Sequence, residues 1–111
     1  MPIAWPIHPD VLSFNSIRQC HIDFTRELAP TELLTGTPTV VEVGTSQLAI
    51  TDVSVSTVPE TVDGETVAIG KAVTFTVSCA TEGVYTLVVS VQTSSRPTQQ
   101  VLVYEATLTV L

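Results

Sequence analysis

At 111 residues the chain has room for one hydrophobic core, and a content of 44% apolar and 14% charged residues excludes a disordered, charge-rich tail. Four basic residues against 11 acidic ones leave a net charge of −7, the wrong sign for displacing counterions from nucleic acid or for settling on an anionic membrane. An ordinary soluble domain carries about 25% charged residues, so much of this surface is expected to be uncharged.

Val and Thr occur 18 times each. Both are β-branched and suit a pleated, half-buried surface, so strands are expected throughout. No stretch reaches the ~20 apolar residues of a membrane helix. The opening Met1-Pro2-Ile3-Ala4-Trp5-Pro6 lacks the basic and continuous apolar regions of an export signal. Synthesis in a cytosol is therefore expected, with Cys20 and Cys79 kept as thiols. A buried structural role for each is the leading reading, ahead of a bridge between two sheets.

From Met1 to Ser16 no period of 2 or 3.6 appears, and Pro2, Pro6 and Pro9 interrupt any regular element. Yet Ile3, Trp5, Ile7, Val11, Leu12 and Phe14 make this stretch apolar. It reads as an extended arm, residues 1–16, either lying along its own domain or docking on a neighbouring subunit; the second is favoured. On that reading residues 17–111 are a self-sufficient body, and removing the arm leaves it folded.

The body begins with Gln19–Phe24, where Cys20, Ile22 and Phe24 share one face of a strand. Pro30 and Gly36-Thr37-Pro38 place Leu28, Leu33 and Leu34 in a loop or a short edge piece. Thr39–Val43 and Leu48–Val55 are the next strands, the latter with a bulge expected at Thr51-Asp52. Pro59–Glu65 forms an acidic turn with the hairpin pair Asp63-Gly64. Beyond Gly70, Val73, Phe75, Val77 and Cys79 alternate with Thr74, Thr76 and Ser78, a strand with one wet side. After Glu82-Gly83, Tyr85, Leu87, Val89 and Val91 turn inward. A polar loop over 93–98 leads to a last strand that buries Leu102, Tyr104, Ala106, Leu108 and Val110.

Short strands with turn signals every ~8–12 residues indicate an all-β fold, an antiparallel β-sandwich of about seven strands. Gly83-Val84-Tyr85-Thr86-Leu87 resembles the Gly-x-Tyr-x-Cys run of immunoglobulin-like (Ig-like) domains, with Leu87 in the cysteine's place. In those domains the Tyr opens the penultimate strand and caps a corner. Trp5 lies in the arm, outside any Cys…Trp…Cys framework, so the resemblance is to the architecture rather than to antibody-type domains.

Residues that could carry chemistry do not converge. His21-Ile22-Asp23 puts two metal-capable side chains on one strand face, but zinc needs three or four ligands. Ser is abundant without a nucleophile elbow, and His8 and His21 lie in separate segments. The Glu60-Asp63-Glu65 turn lacks the spacing of a calcium loop, and the glycines form no phosphate-binding loop. No catalytic residue, cofactor or metal is expected, and the chain reads as a non-enzyme.

Cys20-His21-Ile22-Asp23-Phe24-Thr25, the Asp63-Gly64 turn, Thr81–Leu87 and the Val/Leu-rich last strand together resemble small structural proteins of tailed-bacteriophage virions, the fibre–tail adaptor and capsid-decoration type. Phe24 stands where that group carries Trp, and Leu34–Val43 lacks its second aromatic. The resemblance implies an Ig-like virion component, made in the host cytoplasm and often oligomeric. Its partners would be capsid, portal or connector, or tail and fibre subunits. The arm residues Ile3, Trp5, Ile7, Val11, Leu12 and Phe14 would touch those neighbours. The competing expectation is a host-surface or carbohydrate-binding Ig-like module, which would need exposed aromatic platforms.

Overall fold

Strict alternation of β-branched and polar residues sends one row of each strand indoors and leaves the other in water. Two sheets that close over such rows make a sandwich. The computed structural model describes residues 7, 11–25, 28, 31–44, 46–62, 64–93 and 101–111, with the side chains of residues 62 and 102 left aside. In chain order the strands are β1 (Val11–Leu12), β2 (Ile17–Asp23), β3 (Leu34–Glu42), β4 (Leu48–Val55), β5 (Glu60–Val62), β6 (Glu65–Val67), β7 (Ala72–Cys79), β8 (Gly83–Thr93) and β9 (Val101–Val110). One sheet has the order β1-β9-β8-β3, the second β2-β7-β4, and β5-β6 is a separate hairpin.

This is the expected all-β sandwich, and its topology is Ig-like. Strands β2, β7 and β4 stand as B, E and D of an Ig domain, while β3, β8 and β9 stand as C, F and G. Expected strand count and observed count differ because β1 and the hairpin are short. The core combines Cys20, Ile22 and Phe24 from β2 and its end, Val73, Phe75 and Val77 from β7, Leu87, Val89 and Val91 from β8, and Tyr104, Ala106 and Leu108 from β9. Phe24 and Tyr104 meet across the two sheets with ring centroids 5.0 Å apart and planes tilted by 57°, a favourable edge-biased geometry.

Several local expectations are met. The ladder between β4 and β7 slips between Thr51 and Ser54, and Asp52 takes the left-handed φ of 55° that a short polar side chain tolerates. Strands β5 and β6 pair with Val62 opposite Glu65, and Gly64 between them takes a φ of +81°; Asp63 of the expected Asp63-Gly64 pair lies outside the described residues. The Glu42 carboxylate closes the β3–β4 connection by accepting from the amides of Gln47 (2.9 Å) and Leu48 (2.8 Å).

Two expectations are corrected. Strand β3 begins at Leu34, not Thr39, and runs through Gly36-Thr37-Pro38. Its pairing with β8 jumps from Thr35↔Gln92 to Thr39↔Ser90, so the breakers form a bulge inside the strand. Gly36 supplies a φ of +73° there, and a bulge spares Pro38 the ladder bond it cannot donate. Leu34 is then a buried core residue whose amide donates to the Gly70 carbonyl at 2.8 Å.

The second correction concerns the leading segment. The sandwich starts before Ile17: Val11 and Leu12 pair in parallel with Thr109 and Val110 of β9. Three backbone bonds then tie the following turn down, Leu111 N to Leu12 O (2.8 Å), Phe14 N to Leu111 O (2.9 Å) and Asn15 N to Cys79 O (2.7 Å). Ile7 and Leu12 are 2% and 3% exposed and belong to the main core. A parallel edge strand of two residues leaves almost no periodic signal, which is why the arm reads as separate.

Candidate functional site

Of the six arm residues expected to touch neighbours, Ile7 and Leu12 point into the chain's own core and are spent on folding. Val11 and Phe14 are about half exposed. Ile3 and Trp5 lie outside the described residues, as do His8 and most of the loop over 93–98.

A broad, nearly uncharged surface carrying several exposed valines lies elsewhere, on the outer face of the β1-β9-β8-β3 sheet. Register places its side chains in rows across the strands. Val11 of β1, Thr109 of β9 and Val84 of β8 make one row, and Thr107 and Thr86 continue the next toward Val43. Glu105, Val88 and Val41 form the middle row, followed by Val103, Ser90 and Thr39, then Val101, Gln92 and Thr35. Val84, Val101, Val41 and Val43 are all at least half exposed. Among the described residues, Glu105 is the one charged side chain on this face. Period 2 already turns Val84, Val88, Val101 and Val103 outward, so the sequence carries this signal, though more weakly than the dense run of apolar residues in the arm.

The outer face of the β2-β7-β4 sheet is also poor in charge. It carries Ile17, Gln19, His21 and Asp23 beside Thr74, Thr76 and Ser78, then Ala49, Thr51 and Ser54. The Ser54 and Thr74 hydroxyls bond each other at 3.2 Å. At one end the β5-β6 hairpin approaches, bringing the Glu60 carboxylate to 3.7 Å from His21 Nδ1, which is buried without a hydrogen bond. Asp23 is engaged locally, accepting from the amide of Thr25 at 2.8 Å. Among the described residues no group of three or more His, Cys, Asp or Glu side chains is placed to hold a metal ion.

The Gly-Tyr run forms the corner its resemblance implies. Tyr85 opens β8, and its hydroxyl donates to the Thr81 carbonyl four residues back at 2.8 Å, the tyrosine corner of Ig-like domains. Cys79 Sγ sits 3.6 Å from the Tyr85 hydroxyl and 3.1 Å from Thr81 O. Cys20 lies on the strand equivalent to B, and Leu87, on the strand equivalent to F, fills the position of the second bridging cysteine. Cys20 and Cys79 form no disulfide, and both are buried.

These environments set a pH limit. Burial pushes the Cys20 thiol up to about 11, with Arg18 pulling weakly the other way. The bond to Cys79, with burial next, pushes Tyr85 up to about 12. Both groups ionise more easily when unfolded, near 9.0 and 10.0, so above pH 9 the folded state holds more protons and stability falls as pH rises. The contribution is complete below pH 9 and is gone above about 12. Urea midpoints are expected to drop between pH 8 and pH 11, less steeply in Tyr85→Phe. Equal slopes in the two proteins would contradict the corner's role. At pH 8 the native thiols should resist alkylation that proceeds readily in denaturant.

No protein-family model and no curated protein matches the chain. A solved structure of a family 123 glycoside hydrolase from Clostridium perfringens overlaps 98% of this chain at 8% identity and a TM-score of 0.38. The overlap spans 23% of that chain's length. A likeness this weak says nothing about what the present chain does.

Proposed function

We propose that the chain is a non-enzymatic structural component of a tailed-phage virion, an adaptor or decoration protein held to neighbouring particle subunits through its sheet surfaces. The supporting observation is the placement of charge. Asp52 sits in a bulge, Glu60 and Glu65 in the hairpin, Glu82 at the corner and Glu42 at a strand end. The broad strand faces are left to Val, Thr and Ser, with Glu105, His21 and Asp23 as the ionisable exceptions. Permanent interfaces deplete charge in this way, whereas a free surface does not.

The resemblance of residues 20–111 to virion proteins of this kind supplies the setting: synthesis in the host cytoplasm, then a place among capsid, portal or connector, or tail and fibre subunits. The leading segment contributes through Val11 and Phe14, which remain exposed. The carbohydrate-binding alternative gains nothing from the geometry, because Phe24, Phe75, Tyr85 and Tyr104 are buried and Phe14 is the one exposed aromatic among the described residues.

The test is the composition of intact particles. Phage particles purified by density gradient should contain the chain at a reproducible ratio to the major capsid protein. A ratio set by rings of six or twelve would indicate the junction or tail, and hundreds of copies the capsid exterior. Recovery of the chain from the soluble lysate alone, with none on particles, would overturn the proposal.

A further inference from the structure

We infer that the outer face of the β1-β9-β8-β3 sheet is a homotypic interface, on which two copies of the chain pack face to face about a two-fold axis running along the strands. The inference extends the assembly role proposed above by naming the partner, a second copy, and it can fail while that role stands.

Contiguity is the first argument. Singly exposed valines are ordinary on any protein surface. Here Val41 and Val88 are neighbours in one row, and Val84 and Val43 flank the rows above. Neighbouring strands lie ~4.8 Å apart and same-face residues ~6.8 Å apart along a strand. The valines therefore adjoin one another, directly or diagonally, across a face otherwise made mostly of Thr and Ser, a nearly uncharged surface of the kind that suits a contact site.

Area is the second. Three to four strands by five rows cover roughly 500 Å² per copy at those spacings, hence roughly 1,000 Å² for a pair, the lower bound of specific interfaces. A dimer of this size is weak and concentration-dependent alone and gains strength when copies are held side by side.

Charge placement selects the geometry. Glu105 lies in the middle row but on β9, toward the sheet margin, whereas Val88 lies on β8 near the centre. A two-fold axis across the strands would set β9 on β9 and bring the two Glu105 carboxylates together. An axis along the strands sets β8 on β8 and β9 over β3, which keeps the carboxylates at opposite margins in water. Aligned sheets pack in this way, about 10 Å apart and within ~30° of parallel. The interface then has an uncharged centre and a charged rim. A partner bound through complementary charge would find only one carboxylate here to grip.

Each copy carries −7, so long-range repulsion opposes pairing and is screened by salt. Sedimentation velocity of the purified full chain should show a monomer–dimer equilibrium from micromolar to millimolar concentration, shifting toward dimer as salt is raised. Val88→Lys should weaken it at least about tenfold, by placing two ammonium groups at the axis. Thr51→Lys, on the other sheet's outer face, should leave it unchanged, with circular dichroism confirming that both variants fold. Independently of affinity, Val88→Cys should be joined into a covalent dimer by a short bismaleimide, since sheets ~10 Å apart lie beyond direct disulfide reach. Glu105→Cys should be joined by it to Val41→Cys in a mixture but not to itself. A monomer at every concentration and salt overturns the inference. So does a dimer indifferent to Val88→Lys, one loosened by salt, or Glu105→Cys coupling to itself.

Discussion

Removal of residues 1–16 is expected to unfold the sandwich rather than to release a free-standing body. Ile7 and Leu12 are both buried in the main core, and losing a buried Leu or Ile side chain costs about 2–5 kcal/mol each. Together that is about 4–10 kcal/mol, against a total stability of about 5–15 kcal/mol for a domain of this size. The cut also strands the Leu111 amide and carbonyl and the Cys79 carbonyl, which now bond to Leu12, Phe14 and Asn15. Amide NMR spectra of residues 17–111 should lose their dispersion, or its urea transition should move to near zero denaturant. A truncated chain with the full-length midpoint would show that the leading segment adds nothing to the fold. The point bears on function, because a truncation that abolishes assembly would report unfolding rather than a lost fastener. Val11→Ser with Phe14→Ser, which alters exposed positions alone, is the variant that tests attachment.

What the sequence made legible follows from the range of the signal. Period 2 is local, so the inward rows of β2, β4, β7, β8 and β9 can be read from a few residues each. Turn chemistry is equally local, and Asp52, Gly64 and Tyr85 act where their types suggest. The two misreadings share a different origin. Gly36-Thr37-Pro38 looks like a stop until Leu34 and Thr35 are seen pairing with Thr93 and Gln92 of β8, nearly 60 residues away. Val11 and Leu12 look like a tail until the far end of the chain arrives beside them as β9. In both cases a non-local ladder overrides a local preference, as β-propensity commonly allows. The candidate surface was within reach by the same logic. Once β8 and β9 are drawn as strands, the outward residues include Val84, Val88, Val101 and Val103 among Thr, Ser and Gln, with Glu105 the one charge, where water-facing strands usually show more. Their lateral merging with Val41 and Val43 required the register.

The division between inward and outward rows makes a sharp prediction for adjacent residues of β7. Phe75 is fully buried, paired with Cys20 on the neighbouring strand β2 and packed in the main core. Thr76, one residue on, lies half-buried on the opposite face, between Gln19 and Thr51. Phe75→Ala should cost about 3–5 kcal/mol, because the transfer term and the cavity term add in a close-packed interior. Thr76→Ala should cost about 1 kcal/mol or less, the range of a cross-strand pair on a sheet surface. Urea unfolding of the two variants beside the parent measures both, with an unchanged slope showing that the same surface is exposed on unfolding. The Phe75 variant should sit close to the limit of folding at 37 °C, since a loss of that size is a large part of the whole stability. Equal losses at the two positions would mean that β7 does not divide core from surface. In that event the rows on β8 and β9 would lose their assignment too, and the uncharged face with them.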